Sequence, residues 1–447
     1  MLSTKTPAAN ISAAAHAQAI WRKQIDRLGL QFKIHWHGLG QWQTAFCFLE
    51  KQGQAQEVAL DLGKGLNPLQ TELSACYEAL ENYLSYQHQF SRRIECVSVK
   101  AIRERYITTP FRFHKRLLNS RKNTVLPWVI ATELIKAPHH HTQQQAAFLL
   151  ATLDCQYNGL HLTPPDTYDY SKHACYASTN GLASAATYED AIIHGIAEVI
   201  ERDAISYFLL DTFLLKQPLQ LIRKNTLPTY LQTLIKKLEI TYQEDIFILH
   251  LPSRFNVPVY GAVFTRQKQI AIPPKGFGAS LNAAYAIERA VLEALQSLHL
   301  NEYMPEKCVD LNMTPLREYP ILLDCLRYNI MSVVEENCYQ WINFNSSETL
   351  SELLDNSSKM NTLNNLIEKI KKQQLSIYIN DIVRAENGFS CVNVIIPKTD
   401  EFFHVFNECI ILPQEETINY VKEKNREKKK IVAHTSCPAA QPDAHAH

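Results

Sequence analysis

The chain has 447 residues, of which 46% are hydrophobic and 20% are charged; this is the composition of a globular protein, so a mostly disordered or fibrous chain is excluded. Its 45 Lys and Arg residues balance 45 Asp and Glu residues, and without a net positive charge a simple nucleic-acid-binding protein is excluded. The 11 cysteines include no C-x-x-C pair, which indicates free thiols rather than a zinc ribbon or a secreted disulfide framework.

The hydrophobic pattern predicts helices that alternate with short strands. Helices are expected in a lead-in at residues 1–25 and then at about 70–87, 187–210, 281–301 and 363–372. Strands are expected at 31–36, 44–49, 56–61, 245–251, 258–265, 269–272, 376–383 and 390–396. This alternation predicts an α/β or α+β fold.

Three polar segments interrupt the pattern. Residues 92–122 are rich in Lys and Arg, which is typical of a solvated basic face and is also compatible with a surface for acidic peptides or phosphate. The adjacent His139, His140 and His141 predict an exposed loop. Residues 414–447 contain a charge run and a low-complexity end, so we expect a flexible tail.

The chain carries no sign of export or membrane insertion. Its N-terminal segment lacks a charged stretch followed by an apolar one, so no signal peptide is predicted. No apolar run reaches the roughly 18–20 residues of a spanning helix, and the nearest, 191–210, is broken by His, Glu, Arg and Asp. We therefore expect a cytoplasmic protein without membrane association.

The helix expected at 187–210 carries polar residues in an otherwise almost wholly apolar surface. His194, Glu198, Glu201 and Arg202 lie at i, i+4, i+7 and i+8, so they share one stripe. Two carboxylates in an apolar surround are costly unless they are neutralised, and Arg202 can neutralise only one. The stripe is compatible with a structural Arg–Glu network, with a site for a hard cation or phosphate, or with a zinc pair of His194 and Glu198.

Two further helices repeat this spacing of polar residues at i, i+4 and i+7: Ser74, Glu78 and Glu81 in one, and Arg289, Glu293 and Gln296 in the other. Taken alone, each of these stripes is also compatible with a solvated or structural polar face. If the three stripes converge, five glutamates meet, and such a cluster repels itself unless cations lie in it. Carboxylates suit Mg²⁺, which usually shares its coordination shell with phosphate oxygens. Because the chain contains neither G-x-x-x-x-G-K-[ST] nor G-x-G-x-x-G, the stripes predict a Mg–nucleotide site without a P-loop.

These residues resemble the motifs of the YcaO family. The chain has a Gly63-Lys64-Gly65 turn before the first stripe and a Ser178-Thr179-Asn180-Gly181 turn before the second; His194-Gly195, Glu198, Glu201, Arg202 and Asp203 follow, and then the third stripe. The resemblance covers about residues 26–413, which would form the catalytic domain between the lead-in at 1–25 and the tail at 414–447. It implies the YcaO-type fold, with mixed sheets, packed helices and an ATP site between helices.

The resemblance also implies the cofactors, ATP and Mg²⁺, and the roles of individual residues. The implied Mg²⁺ ligands are Glu78, Glu81, Asp190, Glu198, Glu201 and Glu293. The implied nucleotide contacts are Lys64, Ser74, Ser178, Asn180, Arg202, Arg289 and Gln296. Arg202 and His194 are the catalytic candidates, although a His in this position is also compatible with core packing. Two departures from the family pattern are the short side chain of Asp190 and the loss of an amide at Ala186.

The implied reaction is ATP-dependent activation of a peptide backbone amide. We expect cyclodehydration of Cys, Ser or Thr to a thiazoline or oxazoline in a ribosomally made precursor peptide, as in bacteriocin biosynthesis. The alternatives are backbone thioamidation with a TfuA-like partner, an accessory role in ribosomal-protein methylthiolation, and a non-catalytic peptide-binding scaffold. The tail lacks the Pro-x-Pro-x-Pro ending of many azoline-forming members, which weakens the first reading.

The resemblance finally implies partners. Because no C-x-x-C pairs mark a fused leader-binding domain, we expect a separate E1-like or TfuA-like protein that binds the leader of the precursor peptide. A flavin dehydrogenase would join the complex if azoles are made. A homodimer is compatible with the family, and neither nucleic acid nor a membrane is an expected partner.

Overall fold

The structure is a computed structural model, and it describes residues 7–53, 57–85, 94–107, 122–134, 144–153, 168, 170, 178–265, 274–305, 322, 325, 330–345, 358–402, 405–406, 409–414, 417, 419–420 and 423. The predicted histidine loop at 139–141, the strand predicted at 269–272 and most of the predicted tail lie outside these residues. Part of the basic segment at 92–122 does so as well.

The described helices are α1 (Pro7–Arg27), α2 (Pro68–Ser85), α3 (Val99–Arg105), α4 (Leu150–Leu153), α5 (Tyr188–Leu209), α6 (Thr229–Tyr242), α7 (Ala283–Tyr303), α8 (Ile330–Glu335) and α9 (Lys359–Lys371). The described strands are β1 (Leu30–Leu39), β2 (Trp42–Lys51), β3 (Glu57–Gly63), β4 (Ile94–Ser98), β5 (Val125–Glu133), β6 (Gln145–Leu149), β7 (Leu182–Ala185), β8 (Leu219–Ile222), β9 (Ile246–Leu251), β10 (Val259–Phe264), β11 (Lys275–Ala279), β12 (Tyr339–Ile342), β13 (Tyr378–Arg384), β14 (Ser390–Ile395), β15 (Val405–Phe406) and β16 (Cys409–Ile410). A π-helical segment, Leu210–Leu214, extends α5.

The strands form three larger sheets. The first is the antiparallel meander β1-β2-β3, and the second has the order β11-β10-β9-β8-β12, antiparallel except for the parallel β8/β12 pair. The third has the order β4-β5-β13-β14-β7, with β6 also paired to β5. The short strands β15 and β16 pair with each other.

Each helix that carries a polar stripe packs on a different sheet. Helix α2 lies on β2 and β3 of the first sheet, α7 on β10 and β11 of the second, and α5 on β7 and β14 of the third. Contacts of α2 with β7 and of α5 with β11 join these three units. The stripes therefore face a common space between three sheet-and-helix layers.

Local sequence explains where the two central helices begin. Thr187 precedes α5 and its hydroxyl accepts a hydrogen bond from the Asp190 N–H, at 3.3 Å. Asn282 precedes α7 and its Oδ1 accepts from the Tyr285 N–H, at 2.8 Å. Such caps satisfy backbone donors that the first helical turn leaves without partners. Apolar residues then bury most of the circumference of α5, as the sequence predicts.

The mixed α/β architecture predicted from the sequence is confirmed. The predicted helices agree with α1, α2, α5, α7 and α9, and the predicted strands with β1, β2, β3, β9, β10, β13 and β14. Sequence analysis did not predict α6, although its buried residues Leu231, Leu234, Ile235 and Leu238 have helical spacing. It also did not predict β11, whose two glycines disfavour a strand. No described helix has the length and hydrophobicity needed to cross a membrane.

Candidate functional site

The first side of the site is built by the Gly63-Lys64-Gly65 turn at the end of β3. Both glycines lie against the start of α2, where an added Cβ at Gly63 would collide with backbone atoms of Thr71 and Ala75. This close approach fixes the intervening Lys64, whose side chain is only 10% exposed. Its ammonium group forms an ion pair with Glu293 of α7. The turn thus connects the first and third polar stripes.

The second side is built by the Ser178–Gly181 turn, which lies between β14 and α5. Gly181 has φ +79°, and its carbonyl oxygen accepts a hydrogen bond from the Val394 N–H at 2.7 Å. A Cβ at Gly195 of α5 would lie 2.6 Å from Val394 Cγ2 and 2.7 Å from the Gly181 oxygen. Only glycine at these positions lets α5 pack directly on the turn, which brings Asn180 beside the polar stripe of α5.

The third side is the contact of β11 with α7. Gly276 and Gly278 face α7 so closely that a Cβ on either would collide with its backbone. Between them, the Phe277 N–H donates to Glu293 Oε1, at 3.4 Å. Lys275 precedes them, and its ammonium group interacts electrostatically with Arg202 of α5. This arrangement adds a further cation, Lys275, near the stripes.

The five glutamates of the three stripes lie near enough to influence one another, which is the convergence that the sequence analysis posed as a condition. Each of Glu78, Glu81, Glu198, Glu201 and Glu293 interacts electrostatically with other members of the set. Burial, with mutual repulsion added to it, raises the pKa of Glu198 to about 8 and that of Glu201 to about 7. Burial also raises the pKa values of Glu78 and Glu81. For Glu293, burial raises the pKa, but the charges of Lys64 and Arg202 outweigh it, so the pKa is lowered.

Cations of the protein lie among these carboxylates. Arg202 Nε is 3.9 Å from Glu198 Oε1, which is an ion pair without a hydrogen bond. Arg289 interacts electrostatically with Glu293, Glu201 and Glu78. Within the described ranges, no three His, Cys, Asp or Glu side chains are arranged to hold a metal ion. The glutamates are therefore assembled in one place, but with Lys64, Arg202 and Arg289 as their present counter-charges.

Two buried polar atoms test whether this site fits Mg²⁺ and a nucleotide. Asn180 Oδ1 and Arg202 Nε are both buried and both lack a hydrogen-bond partner in the structure. An unpaired guanidinium N–H suits a phosphate oxygen, and an unpaired amide oxygen suits a hydroxyl, an amino group or a metal ion. The surrounding carboxylates are the hard oxygen ligands that Mg²⁺ prefers. The residues present therefore fit Mg²⁺ and a nucleotide.

Three predicted site residues have other partners in this structure. Asp190 accepts from the Thr187 hydroxyl at 2.8 Å and forms an ion pair with Lys359. Gln296 donates from Nε2 to the Leu62 carbonyl oxygen at 2.7 Å, so it links α7 to β3. Ser178 accepts from the Asn180 N–H at 2.9 Å. The side chains of Asp190, Gln296 and Ser178 thus have partners within the protein in this structure, and their roles in the site stay predictions.

His194 interacts electrostatically with Arg289, Lys64 and Glu293 of the site, but it is not packed in the core, because the residue is exposed. The enclosing protein, followed by the positive charges of Arg289 and Lys64, lowers its pKa to about 3. The imidazole is therefore neutral at neutral pH. Ser74 is half-buried on α2, one turn before Glu78, as the sequence predicts.

Sequence analysis missed three contributors. The Ser184 N–H donates to Glu81 Oε2 at 2.6 Å, which a backbone group does not reveal in a sequence. Lys275 could have been suspected from its place before Gly276-Phe277-Gly278. Glu401 follows β14 by six residues and interacts with Ser178, Asn180 and Arg202. No local motif identifies Glu401, because its position depends on the packing of its loop.

Comparison with known proteins gives matches that agree with this geometry. A family model described as YcaO cyclodehydratase, ATP- and Mg²⁺-binding, matches residues 62–400. The structure of YcaO from Methanopyrus kandleri bound with AMPPCP and Mg²⁺ is 20% identical, with a TM-score of 0.58 over 85% of this chain and 88% of that chain. None of the curated proteins that were searched matched the chain.

Two further solved structures share the fold. A heterocyclase in complex with substrate and cofactor is 16% identical, with a TM-score of 0.58 over 87% of this chain and 53% of that chain. The E. coli microcin synthetase McbBCD complex is 14% identical, with a TM-score of 0.53 over 85% of this chain and 92% of that chain. At these identities the structural matches establish the fold.

Proposed function

This chain belongs to the YcaO family of ATP- and Mg²⁺-dependent enzymes that modify the peptide backbone, and we propose that it is a peptide cyclodehydratase. Its substrate would be a ribosomally made precursor peptide, in which Cys, Ser or Thr side chains are cyclised to thiazolines or oxazolines. The observation that carries the proposal is the cluster of five glutamates with Arg202 Nε and Asn180 Oδ1 buried and unpaired beside it. A scaffold without a ligand has no physical reason to keep these groups together.

The proposed roles follow from the charges of the chain's own residues. Glu78, Glu81, Glu198, Glu201 and Glu293 would hold Mg²⁺ after exchanging their protein counter-charges for it. Lys64, Arg202 and Arg289 would then be released to pair with phosphate oxygens, and the Nε of Arg202 would gain the acceptor that it lacks. ATP supplies a phosphoryl group that turns an amide oxygen into a good leaving group.

The role proposed for His194 is narrower than general-base catalysis. Desolvation by the surrounding protein and the charges of Arg289 and Lys64 lower its pKa to about 3, so the ring is a weak base at neutral pH. A neutral imidazole can still accept a hydrogen bond from an attacking thiol or hydroxyl group and orient it. We assign Asp190 to the metal site only as a ligand that would first leave Lys359.

The proposed partners are a precursor peptide and a leader-binding protein of the E1-like or TfuA-like kind. The precursor peptide is supported by a heterocyclase structure solved with its substrate. Assembly with other proteins is supported by the microcin synthetase complex. A flavin dehydrogenase would be needed only for azole products. We propose a cytoplasmic location, which the buried free thiols of Cys47 and Cys76 support.

Calorimetric titration of ATP with and without Mg²⁺ tests the site. We expect saturable, Mg²⁺-dependent binding that is lost in Glu198→Gln, because this substitution removes a ligand charge from the centre of the cluster. The matched control is Glu368→Gln, the same substitution at an exposed position of α9, which should bind as the wild type does. Unfolding of Glu198→Gln would instead support a structural Arg–Glu network.

Mass spectrometry of a precursor peptide, incubated with the enzyme, its partner and Mg·ATP, tests the reaction. Loss of one water per modified residue is expected for cyclodehydration. Exchange of oxygen for sulfur would identify the thioamidation alternative, and binding of peptide without ATP turnover would identify the scaffold. Neither alternative is favoured by a specific observation in the structure.

A further inference from the structure

The last residue of the Glu201-Arg202-Asp203 run faces away from the glutamate cluster. Asp203 is 1% exposed, and its carboxylate accepts from Arg254 through Nε at 2.9 Å and Nη2 at 2.8 Å. Asp203 Oδ1 also accepts from the Asp400 N–H at 2.8 Å. Arg254 donates further to the Lys398 carbonyl oxygen at 2.7 Å. The back of α5 therefore holds the segment at 398–400.

The same segment is held from within by Asp400, which is 2% exposed. Its Oδ1 accepts from the N–H groups of Glu401 at 2.8 Å and Phe402 at 3.0 Å. Its Oδ2 accepts from the Gln414 N–H at 3.1 Å. With its backbone donors satisfied in this way, the loop after β14 has a fixed course, and it directs Glu401 toward the Ser178–Gly181 turn.

Glu401 meets that turn through two side chains. Its carboxyl group interacts with the side chains of Ser178 and Asn180, and burial raises its pKa to about 7. Because Asn180 Oδ1 has no hydrogen-bond partner, the interaction with Glu401 involves the amide nitrogen of Asn180, and the amide oxygen faces away from Glu401. This is the Oδ1 that is buried without a partner.

We propose that Glu401 is a positioning residue of the nucleotide site, which orients Asn180 so that its Oδ1 accepts from a donor of the bound ligand. The Asp203–Arg254 pair holds Glu401 in place from the opposite face of α5. The inference rests on the nucleotide site proposed above. The free Asn180 Oδ1 accepts hydrogen bonds and repels the oxygens of a phosphate group, so the ligand group at Asn180 is a nucleoside hydroxyl or amino group, or the metal ion with its water.

A double-mutant cycle tests this coupling by calorimetry with Mg·ATP. Glu401→Ala and Asn180→Ala should each weaken binding about tenfold, since each removes the oriented hydrogen bond. The double variant should bind no more weakly than the weaker single variant, because both changes remove the same interaction. Repetition with inorganic triphosphate identifies the donor: loss with ATP alone assigns a nucleoside group, and loss with both assigns the metal.

Two further variants keep the test decisive. Glu401→Gln preserves the volume and one acceptor oxygen, so it should bind with an affinity between those of the wild type and Glu401→Ala; if the Ala variant does not fold, the Gln variant takes its place in the cycle. Glu386→Ala, at an exposed position of the β13–β14 turn, is the control and should bind as the wild type does.

Two results would overturn the inference. One is unchanged or tighter binding by Glu401→Ala while the wild type binds, which would mean that Glu401 only repels the ligand. The other is multiplication of the two single effects in the double variant. A wild-type chain that does not bind Mg·ATP would overturn the proposed function, and this inference with it.

Discussion

The two faces of α5 differ in whether their buried charged groups have hydrogen-bond partners, although the residues concerned are neighbours in sequence. On one face, the satisfied face, Asp203 accepts three hydrogen bonds, two from Arg254 and one from the Asp400 N–H. On the other, the unsatisfied face, Glu198 and Glu201 repel each other and Arg202 Nε has no hydrogen-bond partner. Both faces bury charge, so burial alone does not identify a ligand site. Unsatisfied groups do, because a fold without a ligand gains nothing from them.

The largest effect on stability is expected when the Asp203–Arg254 ion pair of the satisfied face is disrupted. Asp203→Asn removes the negative charge that Arg254 faces, and disruption of a buried pair of this kind costs about 3 kcal/mol in the free energy of unfolding. Urea denaturation measures this loss. The control is Asp26→Asn on the exposed side of α1, which should change stability by less than about 0.5 kcal/mol. A loss below about 1 kcal/mol for Asp203→Asn would show that the network is not structural.

A somewhat smaller loss of stability is expected at Gly195, where α5 packs on the Ser178–Gly181 turn. Gly195→Ala puts a methyl group 2.6 Å from Val394 Cγ2 and 2.7 Å from the Gly181 oxygen, so α5 must move away from the turn. Overpacking of this kind costs about 2 kcal/mol in stability. Thermal unfolding would detect it, and Asn364→Ala on the exposed side of α9 is the control. Unchanged stability would mean that the turn yields without cost.

The sequence predicted the unsatisfied face of α5 better than the satisfied face. Spacing alone placed Glu198, Glu201 and Arg202 on a stripe, and an apolar surround made their charge conspicuous. Convergence with Glu78 and Glu293 was predictable only as a condition, since it depends on how three sheets pack. Asp203 carried no interpretable role in the sequence because its partners, Arg254 and Asp400, are remote in the chain and brought near by tertiary structure.

The fold shows the same division. Helices with a strong apolar period, such as α5 and α7, were predicted to within a few residues, whereas β11 was not. Its Gly276 and Gly278 are poor strand formers, but their lack of side chains lets the strand lie against α7. Local propensity and tertiary packing conflict there, and packing prevails. Conflicts of this kind occur next to the site because close backbone approach is what positions Lys64, Asn180 and Lys275.

On the unsatisfied face, removal of a charge should not lower the free energy of unfolding, in contrast to Asp203→Asn on the satisfied face. Without ligand, Glu198→Gln relieves repulsion within the cluster, so we expect unchanged stability or a gain of about 1 kcal/mol in the free energy of unfolding. Urea denaturation of the ligand-free protein, beside Glu368→Gln, measures this. Destabilisation comparable to that of Asp203→Asn would mean that the two faces do not differ in kind.

The last expected effect is a dependence of stability on pH that belongs to the unsatisfied face. Burial, together with the charges of Glu201 and Glu78, raises the pKa of Glu198 from 4.5 to about 8 in the folded protein. Between these values the folded chain retains a proton that the unfolded chain has released. Stability from this group is therefore fully present below about pH 4.5, and is lost as the pH rises toward 8.

Urea denaturation of the ligand-free protein at pH 6 and pH 8 would reveal this loss, which is at most about 1.4 kcal/mol per pH unit for one group. The loss should be smaller in Glu198→Gln, which has no proton to release, and unchanged in Glu368→Gln. Bound Mg·ATP should also reduce it, because a metal ion in the cluster replaces the proton as the counter-charge of the carboxylate. An equal loss in Glu198→Gln would mean that another group titrates, and the unsatisfied face of α5 would then not be the source of the pH dependence.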